Sequence, residues 1–277
     1  VDLQLQQCEN AKAIMQKPVN YSKKNLGKDF NNEDDNYNAV YSSDGNTMAF
    51  TTRMEIYDRE YDETNIFDFI YLAIKDEYGG WTSPKDITRK IGSEGFSASA
   101  HLNFDGSRML LFRDDWGIGN IYETYKDGRN WLEMEKLKKP ISTGDNEMHA
   151  CYGENESIIY FTSNRAGGLG GSDIYVTFKD AKGKWGDPIN LGSSINTPYN
   201  EDTPFLLPDG KTMFFSSEGH YSMGGLDVFV TTKQDNGQWS VPRNIGYPLN
   251  TPDDDLFYFP FDGGTKALYA MRDPEGF

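Results

Sequence analysis

Carboxylates recur along this chain in short clusters at a nearly constant interval: Glu33-Asp34-Asp35, Glu94, Asp145 with Glu147, Glu201-Asp202, and Asp253-Asp254-Asp255. Oxygen ligands at such density suit hard cations, Ca²⁺ above all. Acids held in unlike environments could instead hydrolyse glycosides, one protonated and the other acting as base or nucleophile. The spacing matches no EF-hand loop, and the acids repeat in similar loops rather than in differentiated surroundings. The plainer reading is a solvated acidic rim that also caps strand starts. It assigns no catalytic residue and no cofactor, leaves the identity of any metal open, and makes the rim a binding surface.

Other chemistries find less support. No Gly-x-Ser-x-Gly elbow occurs, and the only histidines are His101, His149 and His220, without the paired spacing that Zn²⁺ needs. All three are expected in packing or surface roles. Gly167-Gly168-Leu169-Gly170-Gly171 lacks the Lys-Ser/Thr ending of a phosphate-binding loop and runs into a strand, not a helix. It reads as a hairpin connection, with Arg165 before it pairing with Asp173 or the acidic rim. Cys8 and Cys151 match no metal spacing and are expected to be free thiols. A net charge of −16 disfavours nucleic acid, whose phosphates require clustered Lys and Arg, and suits a cationic partner, a divalent ion or mere solubility.

The elements that must carry these loops are set by a repeat. Trp81, Trp131, Trp185 and Trp239 stand 50, 54 and 54 residues apart. A turn followed by an apolar strand runs in step with them: Asp44-Gly45, Asp105-Gly106, Asn155-Glu156, Asp209-Gly210 and Asp262-Gly263. Each of the five units reads as four antiparallel strands, with the third plain in Asp173-Ile174-Tyr175-Val176 and Asp227-Val228-Phe229-Val230. Four strands in a period near 50 make a propeller blade. The tryptophans are expected to pack blade on blade, with exposed sugar platforms as the alternative.

The composition, 37% apolar and 14% aromatic, supports a large core in one main body. Residues 1–17 are expected to end a preceding helical region with a short helix over Leu3 to Gln16, and 18–277 to form the propeller. Asn25-Leu26-Gly27 echoes the segments that close later units, so a strand over Val19 to Leu26 is predicted to complete the fifth blade beside Ala267 to Met271, whose own third strand is expected to be missing or truncated. Closing the ring that way would hide both sheet edges. The small residues Ala39, Ala100 and Ala150, with Pro204 and Phe257 at matching places, suggest inner strands converging on an axis. No stretch is apolar enough to cross a bilayer as a helix, and Val1-Asp2-Leu3-Gln4-Leu5 reads as the start of an excised piece of a larger protein.

Phe161-Thr162-Ser163-Asn164-Arg165, the glycine-rich loop, Asp173-Ile174-Tyr175, Trp185 and Leu191-Gly192 with Ile195-Asn196 resemble the TolB-like, WD-type propeller repeats of Bacteroidota envelope proteins. Gln7-Cys8-Glu9-Asn10-Ala11-Lys12, running into Asn25-Leu26-Gly27, is similar to the junction between tetratricopeptide helices and propeller in OmpA-family proteins of that group. The resemblance implies a noncatalytic five-bladed scaffold in the periplasm, near the outer membrane or cell wall. Its partners would be envelope proteins, with peptidoglycan reached only through domains outside this chain. The first two units depart from the pattern: Arg53 to Asn65 is a longer acidic insertion, and Trp116 replaces the glycine-rich loop.

Overall fold

Tight turns set the register of every sheet. In Ser43-Asp44-Gly45 the Asp44 carboxylate accepts from the Asn46 N–H at 2.9 Å, and Gly45 takes the left-handed φ of +71° that a side chain resists. The third unit has no glycine there, and Asn155, one of the few residues to tolerate that region, adopts it at φ +52°. The strands leaving these turns are rich in β-branched and aromatic residues, which favour a pleated, half-buried surface.

A computed structural model describes residues 2–270. The chain divides into two compact units, one of Val1–Lys23 with Lys138–Tyr269, the other principally Lys24–Leu137. In the first unit, Glu147–Tyr152, Ile158–Ser163, Asp173–Phe178 and Ile189–Asn190 form one antiparallel sheet in chain order. Glu201–Leu206, Thr212–Ser217, Asp227–Thr232 and Arg243–Asn244 form a second. Tyr258–Phe261 and Lys266–Tyr269 pair alone. Cys151, Ile174, Met213, Phe215 and Phe229 are buried together as the core between the two larger sheets, and each such side chain contributes roughly 1.5–3 kcal/mol by leaving water.

In the second unit, Asp35–Tyr41, Thr47–Asp58, Glu63–Ile74 and Lys85–Asp86 pair in order. Ser97–Leu102, Arg108–Asp114 and Gly119–Asp127 follow, with the last pairing both to Asn130–Trp131 and to Glu135–Lys136. The insertion after Arg53 is therefore no loop. It lengthens the hairpin by pairs from Met54 with Phe67 to Asp58 with Glu63.

Four blades, not five, are present among the described residues, three of four strands and one of five, and the closing strand is not formed. Residues 18–27 carry no strand; within its unit Val19 donates one N–H to the Tyr247 carbonyl at 2.7 Å. The echo that suggested a strand is a turn. Gly27 N–H donates to Asn25 Oδ1 and Asn31 N–H to the Gly27 carbonyl, as Gly192 does to Asn190 and Asn196 to Gly192. Met271 and any later strand lie outside the described residues. The predicted helix spans Asp2–Ile14, with Asn10 buried and its side-chain amide donating to the Ser222 carbonyl at 2.8 Å.

The small inner-strand residues have a local reason. Ladder register breaks between Tyr37 and Val40, Ser99 and His101, and Asp202 and Phe205, placing Ala39, Ala100 and Pro204 in β-bulges. Proline is tolerated there because a bulge needs no ladder donor. The tryptophans close the outer strands in register with a lysine, Lys75 with Trp81, Lys179 with Trp185, Lys233 with Trp239 and Lys126 with Trp131. Each ammonium lies 4.5–5.9 Å from the ring centroid, within cation–π range. Trp131 is buried and Trp239 packs against the core tyrosine Tyr160.

Candidate functional site

Three of the acids sit at or just before the starts of successive inner strands, each four residues after a threonine. Glu201, fully buried, accepts from the Thr197 N–H and hydroxyl, both at 2.7 Å, and from Ser217 Oγ at 2.6 Å. Glu147 accepts from the Thr143 N–H and hydroxyl, from Ser163 Oγ and from the Arg165 guanidinium at 3.0 Å. Asp255 accepts from the Thr251 N–H and from the Tyr269 hydroxyl. The carboxylate thus ties the loop before a strand to the strand beside it. Burial pushes the carboxyls of Glu201 and Asp255 upward, against these hydrogen bonds.

Arg165 pairs with the acidic side of the predicted alternatives, Glu147, and not with Asp173; its guanidinium also donates to the Pro140 and Ile141 carbonyls and to Ser163 Oγ. Asp173 accepts instead from the Leu169 and Gly170 N–H groups and Asn190 Nδ2. Asp227 repeats this with Met223 and Asn244. Its second oxygen is buried and makes no hydrogen bond, and burial raises its pKa to about 7.

The glycine-rich loop belongs to the same joint. Gly171 donates to the Tyr199 carbonyl, Glu201 to the Ser172 carbonyl, and Ser172 N–H to Asn200 Oδ1. One repeat later Asp255 donates to the Leu226 carbonyl and Leu226 N–H to Asp254. A Cβ at Gly170 would run into the backbone of Thr197 to Tyr199, and at Gly224 into that of Thr251 and Pro252. Glycine is there because two backbones meet.

Asp202 is hydrogen-bonded to the His149 ring, with Nδ1 and Oδ1 2.8 Å apart. Burial works against its charge, but His149 and the Thr203 N–H hold the carboxyl below the usual range. His101 is buried, and burial lowers its pKa to about 3, keeping it neutral. His220 packs against Phe215 and Phe229 beside the Ile195 carbonyl.

Of the acids singled out by sequence, Glu147, Glu201, Asp202 and Asp255 are buried in these joints. Glu33, Asp35, Glu94, Asp145, Asp253 and Asp254 are exposed, and Asp34 is half-buried. Among the described residues no three His, Cys, Asp or Glu side chains gather as a metal-binding group. The Thr-x-x-x-Glu/Asp spacing at Thr143, Thr197 and Thr251 marks three of the four buried acids; Asp202 carries no such signal.

TolB from Acinetobacter baumannii superposes with a TM-score of 0.54 at 18% identity, over 87% of this chain and 50% of that one. The fold is that of a TolB-like propeller. What is shared at this identity is the fold, and the chain spans half the length of that TolB. An α-L-arabinofuranosidase from Lactobacillus brevis (TM-score 0.49, 11% identity, 84% and 82% covered) and a puromycin-hydrolyzing peptidase from Mycobacterium tuberculosis (0.44, 13%, 79% and 33%) are more distant. No family model and no curated protein matches the sequence.

Proposed function

We propose that this chain is a noncatalytic interaction module of a cell-envelope protein. It works in the periplasm, held at the outer membrane or peptidoglycan by parts outside the chain, and its partners are other envelope proteins. The repeat's resemblance to Bacteroidota OmpA-family proteins, PorE of type IX secretion among them, supports that setting.

One observation carries the noncatalytic reading. A propeller glycosidase needs unlike carboxylates converging on a substrate, whereas Glu147, Glu201 and Asp255 perform one clasp three times on their own loops. The exposed acids, Asp145, Asp253 and Asp254 in the first unit and Glu33, Asp35 and Glu94 in the second, are the carboxylates open to a partner.

The test is incubation of the purified protein with arabinan, related polysaccharides and peptides, with product measured by chromatography. No turnover is expected; hydrolysis of arabinan would overturn the proposal in favour of an enzyme.

A further inference from the structure

In the second unit, the connections from second to third strands are built for contact outward. The extended hairpin at residues 54–67 carries exposed Ile56, Tyr57, Tyr61, Ile66 and Phe67, with Tyr61 69% accessible. An isolated two-stranded ribbon is marginally stable in water, and exposing its large side chains gives the fold nothing. Beyond Arg53 and Asp68 the two strands pair only with each other among the described residues. Both edges therefore offer unpaired backbone groups to an added strand.

The edge of Glu63–Ile74 borders a cavity of about 230 Å³. Ile56, Phe67 and Phe69 line it on the apolar side, with Asp86, Arg89 and Glu94 also contributing. From Glu94 and Gly95 the surface continues to exposed Phe96, whose carbonyl accepts from the Asp114 N–H at 2.9 Å. Asp114 leads to Trp116, which is fully exposed and held at a φ of +62°. A fully exposed tryptophan in the left-handed region is costly on two counts and contributes nothing to the core.

Charge identifies the occupant. Residues 54–67 hold five carboxylates, Glu55, Asp58, Glu60, Asp62 and Glu63, against one cation, Arg59. Like charges interleaved with apolar side chains keep this surface from pairing with a second copy of itself. They suit an extended segment that alternates basic and apolar residues: backbone on the free strand edge, an apolar side chain in the cavity, ammonium or guanidinium groups beside the carboxylates.

We infer that the hairpin at 54–67, its flanking cavity and Trp116 form a docking surface for a basic, apolar-alternating protein strand. The inference rests on the interaction role proposed above and names the surface and chemistry of the partner.

The test uses the intact chain and three fluorescent peptides, alternating Lys-Val, Glu-Val and Lys-Ser, with binding followed by anisotropy. Lys-Val is expected to bind at least about tenfold more tightly than either control, with affinity falling as salt rises. Replacing residues 54–67 by Asn-Gly, a two-residue turn that suits the Arg53–Asp68 pair, is expected to weaken it by about tenfold or more. The double substitution Ile56→Ser, Phe67→Ser guards against a misfolded deletion, with circular dichroism checking each variant. Equal affinity for wild type and both folded variants would overturn the surface. Absence of Lys-Val binding, or no preference over Glu-Val, would overturn the partner chemistry. Wild-type dimerisation lost on shortening the hairpin would replace the strand by a second copy. None of these results touches the noncatalytic reading, which falls only with substrate turnover.

Discussion

The connection between second and third strands has opposite fates in the two units. At 164–172 and 218–226 it is glycine-rich and lies against the loop ahead of the next inner strand, where Gly170 and Gly224 leave no room for a methyl group. At 54–67 it is aromatic and acidic and stands in solvent, and at 114–118 Trp116 to Ile118 are exposed while Asp115 is held by Tyr122, Arg113 and Lys136. The aspartates at the matching register position, paired with Ser163, Ser217 and Arg53, differ accordingly. Asp173 and Asp227 bind backbone amides and an asparagine, while Asp68 is gripped by Arg53 through Nε and Nη2 at 2.9 and 3.2 Å. The same position in one repeat thus serves assembly in the first unit and is free for contact in the second.

The sharpest way to break this contrast is at the assembly side. Glu147→Ala removes the acceptor of Thr143 and Ser163 and leaves the nearly buried Arg165 charge uncompensated. A loss of about 3–5 kcal/mol is expected in urea unfolding of the intact chain, and a loss below that of an ordinary surface substitution would refute the clasp.

Next in size is a pH effect. Asp227 has a folded pKa of about 7, above its value in the unfolded chain. The folded state therefore holds that proton more tightly, so the penalty is absent at about pH 4, grows as pH rises, and is complete above about pH 7. Asp227→Asn keeps an acceptor for Met223 and Asn244 and removes the charge. It is expected to melt together with wild type near pH 4 and to be more stable by ~1–3 kcal/mol at pH 8. Parallel melting profiles across that range would count against a buried, unmatched carboxylate.

The smallest effect belongs to the exposed side. Trp116→Gly is expected to shift stability by no more than ~0.5 kcal/mol, because the side chain packs on nothing and glycine accepts its backbone. A large loss of melting temperature would mean that the tryptophan serves the fold after all, and the contrast between the units would collapse.

Much of this architecture was legible because turns and strands are local. Asp-Gly and Asn-Glu turns, apolar strands behind them and the tryptophan period located the principal strands, including the third strands from Asp173 and Asp227. The closing strand was misread because Asn25-Leu26-Gly27 repeats a sequence whose first role is a side-chain-to-backbone turn; the paired stretch beside it in complete sheets is only two residues long. The acids were legible as a periodic set but not as two sets. Burial of Glu201 and exposure of Asp253 depend on which neighbouring loop folds over each, and a composition cluster carries no such information.

The joints in the first unit also say where such an array could be cut. The period seen by eye runs from tryptophan to tryptophan, yet each bonded module straddles it: glycines of one copy rest on the threonine and acid of the next. A recombination breakpoint between Ser172 and Glu201 would carry half of a joint away and strand the other half. Exchanging a whole period at once, for instance from Trp185 to Trp239, would instead regenerate a matching pair at the seam, so the array could lengthen or shorten by one period with its joints intact.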